Sequence, residues 1–172
     1  MDTRMDRRSF LKNAALAGAA LVVAPVALGA VEPQTALADG GTCTCNVCVY
    51  YSDHKIALVG KDAYMTDSST PGNGGFPTTP DSGNASWVED GDGYLVTVDL
   101  VNSMFTLLTI NDDSYDASGA KITSRIEEDG HITRLTIWVP DEGTYSFTAT
   151  EHAGYLPYLG NKSWPIRIIV SF

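Results

Sequence analysis

Basic residues are scarce in this chain. It has 11 Lys and Arg against 21 Asp and Glu, a net charge of −10. Holding nucleic acid or an anionic lipid surface takes a basic patch that releases counterions, and no such cluster stands in the sequence. Both partners are set aside. Histidine is equally sparse: His54, His131 and His152 are scattered. No G-x-S-x-G element or other nucleophile motif occurs. Asp90, Asp92, Asp112, Asp113 and Asp116 lack the EF-hand spacing and read as turn-forming acids. With no positive feature of catalysis, the chain is read as a non-enzyme. Cysteine is limited to three residues, all between positions 43 and 48. Beyond Ala30 no apolar run is long enough to cross a bilayer, so no transmembrane domain is expected after that point.

The N-terminus holds the most specific motif. Asp6-Arg7-Arg8-Ser9-Phe10-Leu11-Lys12 precedes a mild, Ala- and Gly-rich apolar run from Ala14 to Ala30, and Ala36-Leu37-Ala38 offers a small-x-small cleavage site. These residues resemble a twin-arginine signal peptide. The resemblance implies export of an already folded protein, with residues 1–38 removed. A retained anchor is the alternative, though Pro25 interrupts the run. Residues 1–38 carry four basic and three acidic side chains, so residues 39–172 hold 7 against 18, a net of −11. The expected location is extracellular or cell-surface, or periplasmic where an outer membrane exists.

The remaining pattern is β. Asp39 to Thr42 reads as a flexible start, residues 39–53 as a Cys-containing lead segment, and His54 to Val59 as a first strand. Asp67 to Asn84, rich in Gly, Pro, Ser, Thr and Asn, reads as a long loop of the kind that carries function or mobility. From Trp87 onward, alternation with period two marks strands: Tyr94, Val96, Val98 and Leu100; Leu135, Ile137 and Val139; Tyr145, Phe147 and Ala149; Ile166, Ile168 and Val170. Turn signals stand at Asp90–Gly93, Asn111–Gly119, Asp129-Gly130 and Pro140–Gly143. Asn102 to Phe105 interrupts the alternation and is expected to form a short helical turn. About seven or eight short strands without a long helical pattern predict an all-β antiparallel sandwich over residues 54–172.

Three stretches resemble a NEAT domain, the immunoglobulin-like haem-binding module of Gram-positive surface proteins. They are Asp92 to Leu100, Asn102-Ser103-Met104-Phe105, and Arg134-Leu135-Thr136-Ile137-Trp138-Val139-Pro140. The resemblance implies an immunoglobulin-like sandwich that binds haem beside a short helix. The family's usual ligand is a Tyr in Y-x-x-x-Y. Here the nearest pair, Tyr155 and Tyr158, is spaced Y-x-x-Y, which puts the two on opposite faces of a strand. Some members use a Met on the short helix, and Met104 matches that place. A thioether is a soft axial ligand for iron. The other readings are a gap-filling Met104 and packing aromatics at Tyr155 and Tyr158.

Cys43-Thr44-Cys45-Asn46-Val47-Cys48 leaves three readings open. A local disulfide, Cys45 to Cys48 or Cys43 to Cys48, leaves one thiol over. Alternatively, Cys43, Cys45 and Cys48 with His54 surround a tetrahedral metal such as zinc or Cu(I). A third reading joins the cluster to an iron–sulfur centre in another exported protein. Three functions follow as expectations: an exported binding module for haem or an iron compound; a small metal- or iron–sulfur-associated redox partner; or a cofactor-free recognition or adhesion domain using the Asp67–Asn84 loop.

Overall fold

The alternation of buried and exposed residues becomes paired strands, as expected, in a computed structural model that describes residues 39–49, 62–69, 77–153 and 161–172. The strands are β1 (Gly40–Val49), β2 (Ala63–Tyr64), β3 (Ala85–Asp90), β4 (Gly93–Asp99), β5 (Phe105–Ile110), β6 (Lys121–Glu128), β7 (His131–Val139), β8 (Gly143–Ala153) and β9 (Asn161–Ser171). All pairings between them are antiparallel, and no helix occurs among the described residues.

The chain is an all-β sandwich whose strands close on themselves. The hydrogen-bonded path runs β1-β3-β4-β7-β5-β8-β9 and returns to β1, with β2 and β6 attached at its sides. Two strands make the closure. Gly40–Cys43 of β1 pair with β3, and Thr44–Val49 then pair with β9. On the other side, β7 lies along β4 and reaches β5 at Leu107↔Ile132. Closure removes most open sheet edges.

The strands of the closed path turn one face inward. Val96 and Val98, Leu135, Ile137 and Val139, Phe147, and Ile166 and Ile168 are almost wholly buried in one core. A side chain of this size contributes about 1.5–3 kcal/mol when removed from water, so the shared core outweighs any local propensity. Apart from Ile122, β6 is exposed along its length, as befits an attached edge. The turn from β6 to β7 has Asp129 (φ 50°) and Gly130 (φ 80°) both left-handed, as a two-residue I′ loop requires.

Two expectations are corrected. Residues 40–49 are neither a flexible start nor a lead segment before the sandwich; they form β1, and all three cysteines lie in it. Cys43, Cys45, Val47 and Val49 occupy the core face, because a thiol packs there as a small hydrophobe. The segment Asn102–Phe105 is a bend, not a helical turn. Asn102 Oδ1 accepts the backbone N–H groups of Met104 (2.8 Å) and Phe105 (3.3 Å), and Phe105 enters β5 with its ring in the core. A side chain capping the bend satisfies the backbone donors that a helix would have used. The expected strand His54–Val59 lies outside the described residues.

Candidate functional site

The Asp67–Asn84 loop is held down by polar side chains in and beside β1. Asn46, only 5% exposed, points away from the core on the same side as Thr44. Its Oδ1 accepts Thr66 Oγ1–H at 3.0 Å and the Asp81 N–H at 2.9 Å, while its Nδ2 donates to the Asp81 carbonyl at 2.9 Å. Asp67 is fully buried and accepts from Ser69 N and Oγ and from Thr79 N. A buried carboxylate survives because three donors replace its water.

Asn84 solves a separate problem. The last β1–β3 pair is Cys43↔Ala85, after which β1 leaves for β9. The Asn84 amide continues the ladder, accepting the Cys45 N–H at 2.9 Å and donating to the Cys45 carbonyl at 2.8 Å. The backbone groups at the branch point are thereby satisfied.

This anchoring fixes residues 80–86 as the rim of two adjoining grooves. One, of about 420 Å³, runs from Gly83 and Asn84 past Ser86 to Thr97, Asp99 and Arg134. The other, of about 430 Å³, includes Thr66, Ser68, Asp81 and Ser82 and meets the first at Asn84 and Asp99. Arg134 holds Asp99 through two contacts, Nε to Oδ1 at 2.5 Å and Nη2 to Oδ2 at 3.1 Å. That fork fixes both side chains in orientation even though both are solvent-exposed. Thr97 and Thr136 hydroxyls bond across the strands at 3.0 Å. The arrangement offers hydroxyl, amide, carboxylate and guanidinium groups in an open setting. It suits binding a polar ligand.

The sequence-derived site residues fall differently. Cys43 and Cys45 share the core face, and strand alternation puts Cys48 on the opposite side of β1. The three do not converge, and all are free thiols, so neither expected disulfide pairing is made. Among the described residues no group of three or more His, Cys, Asp or Glu side chains is placed to hold a metal. His54 lies outside the described residues. Burial pushes the Cys43 thiol up to about 11, and burial together with the Asp62 carboxylate pushes Cys48 up to about 12. Cys45 is raised as well, by burial first and then by Cys43. A metal ligand or a nucleophile needs the thiolate, which all three sites disfavour. In the native protein at pH 8, iodoacetamide is expected to modify these cysteines at least about a hundredfold more slowly than in the urea-unfolded chain, from the thiolate fraction alone. Mass spectrometry of timed aliquots measures this, and prompt modification of native Cys45 would contradict its burial.

Met104 is half-buried against the core on the bend before β5. Tyr155 and Tyr158 lie outside the described residues, but Phe105 pairs with Ala153, the last residue before their segment. Asp112 and Asp116 have structural partners. Asp112 bonds Arg125 at 2.9 Å. Burial favours a protonated Asp116, but hydrogen bonds from Ser118, Ser146 and Ser114 outweigh it and hold this carboxyl below its ordinary value. Sequence reading missed Asn46, Asn84, Asp99 and Arg134. The outward phase of Ser86, Thr97, Asp99 and Arg134 is visible in the alternation, but their adjacency needs the strand register.

Among family models, curated proteins and solved structures, nothing matches this chain.

Proposed function

We propose that this chain is an exported, non-enzymatic binding module that takes a polar ligand in the grooves between residues 80–86 and the outer face of β4 and β7. Export rests on the Arg7-Arg8-Ser9-Phe10-Leu11-Lys12 segment. The observation that carries the binding reading is the anchoring of the groove rim by the side chains of Asn46, Asp67 and Asn84. A rim fixed before binding loses little conformational freedom when a ligand arrives. The test is an amide-resolved NMR titration of the purified chain with soluble oligosaccharides and with polar hexapeptides. Shifts at Gly83, Asn84, Thr97, Asp99 and Arg134 and along the adjoining outer face of β3, β4 and β7 are expected. If all members of both sets leave these amides unmoved, the proposal fails.

A second reading, haem binding, is favoured by the Phe105↔Ala153 pairing, which brings Met104 to the end of β8 that leads into Tyr155 and Tyr158. Here haemin titration is expected to give a saturating Soret band near one equivalent, changed in position by Met104→Ala. With no Soret band this reading falls and the groove is untouched.

A further inference from the structure

We infer that the ligand is a neutral oligosaccharide lying across the outer face of β3, β4 and β7, with the indole of Trp138 as its stacking platform. The inference rests on the groove reading and names its substrate class.

Register places the residues. Ser86, Thr97 and Thr136 stand in one row across the three strands. Asp99 and Arg134 form the next row on the groove side, and Val88, Leu95 and Trp138 form the row on the other side. All point outward, because Val96, Val98, Leu135 and Ile137 occupy the core face between them. From Trp138 to Arg134 is four residues along β7, about 13 Å at strand rise. That length suits several sugar rings in line.

Trp138 packs close to Gly93: a Cβ there would come within 2.7 Å of its Cζ2 and 2.9 Å of its Cε2, so glycine leaves the space the indole occupies. Its Nε1–H donates to the Asp90 carbonyl at 3.2 Å, which fixes the ring's rotation. Trp138 remains part-exposed. A pyranose ring has an apolar C–H face that packs on such an indole, while its hydroxyls need paired donors and acceptors at the edges. The Thr97–Thr136 pair leaves one hydroxyl hydrogen free for a ligand. Asp99 and Arg134 use two of five guanidinium donors and leave carboxylate lone pairs available.

Charge selects among ligands. Within the first groove Asp99 is matched by Arg134, so this face is close to neutral on a chain of net charge −10. An anionic ligand is repelled by the whole molecule, and a cationic one finds no unmatched carboxylate in that groove. A peptide added as a strand needs an open backbone edge, yet β4 pairs with β3 and β7, and β7 pairs with β4 and β6.

The experiment is calorimetric titration of the purified chain with cellohexaose, chitohexaose, maltohexaose, laminarihexaose and the anionic hexagalacturonate, with a polar hexapeptide set in parallel. At least one neutral hexasaccharide is expected to bind, and hexagalacturonate at least tenfold more weakly. Trp138→Ala and the nearly isosteric Thr97→Val are each expected to weaken binding tenfold or more without moving the melting temperature of Thr97→Val. Trp138→Phe, which keeps a ring, is expected to retain more affinity than Trp138→Ala. Binding that survives both Trp138→Ala and Thr97→Val overturns the inference, as does equal affinity for hexagalacturonate. Peptide binding at the groove with no saccharide binding removes the saccharide and leaves the groove reading standing. No binding by either set removes both.

Discussion

Between pH 9 and 11 the protein is expected to lose stability steeply. Cys43 and Cys48 are held protonated to about 11 and about 12, and Cys45 is raised further, against an ordinary thiol value of 9.0. Below pH 9 both folded and unfolded chains keep these protons, so the thiols add no pH dependence. Above pH 9 the unfolded chain releases them while the folded chain does not. Unfolding is therefore favoured as pH rises, and the slope flattens only where the folded thiols ionise too. Each thiol that ionises only on unfolding contributes up to about 1.4 kcal/mol per pH unit. Cys45 and Cys48 together give a slope of up to about 3 kcal/mol per unit, with a smaller share from the less enclosed Cys43, a large part of a small domain's total stability. Urea unfolding midpoints taken at half-unit steps from pH 8 to 11 measure the slope. Cys45→Ala is expected to make it shallower. A midpoint that stays level to pH 11 would show that the thiols are not buried as described.

Asn46→Ala is expected to lower stability by about 2–4 kcal/mol, because one buried and two part-buried hydrogen bonds lose their common partner. Thr66 Oγ1, Asp81 N and the Asp81 carbonyl would be left facing an alanine. Asn46→Asp does not restore the protein, since it replaces the donor to the Asp81 carbonyl with an acceptor and adds a buried charge. Denaturant unfolding gives the magnitude, and amide NMR of Thr66 and Asp81 shows where the change lies. A further consequence separates anchoring from general weakening. Asn46 does not line either groove, yet ligand affinity there is expected to fall in Asn46→Ala below the transition region. A loss under about 0.5 kcal/mol would mean the rim is held by other contacts.

Both predictions concern one strand, β1, which was the least legible element in the sequence. Its C-x-C-x-x-C spacing resembles a ligand set, and its Gly-Gly-Thr start resembles a tether. Neither reading allows for what its neighbours supply. In the structure Cys43, Cys45, Val47 and Val49 complete a core begun by distant strands, and Asn46 is buried only because residues 66 and 81 close over it. The strands from Trp87 onward were legible because their apolar residues alternate strictly, as in Leu135, Ile137 and Val139. Met104 was legible as a position but not as a conformation, since Asn102 caps the bend in place of a helix.

From the sequence alone come the all-β class, the acidic character, the turns at Asp90–Gly93 and Asp129-Gly130, and the inward phase of strands β4, β7, β8 and β9. These are local properties: side-chain period, turn chemistry and charge act over a few residues. Only the tertiary structure decided that β1 closes the sheet by pairing first with β3 and then with β9, that Asn84 continues a ladder where a strand departs, and that Ser86, Thr97, Asp99, Arg134 and Trp138 share one face. Those facts depend on register between segments tens of residues apart. Register is chosen by burying every apolar face at once, and no local stretch of sequence contains that choice.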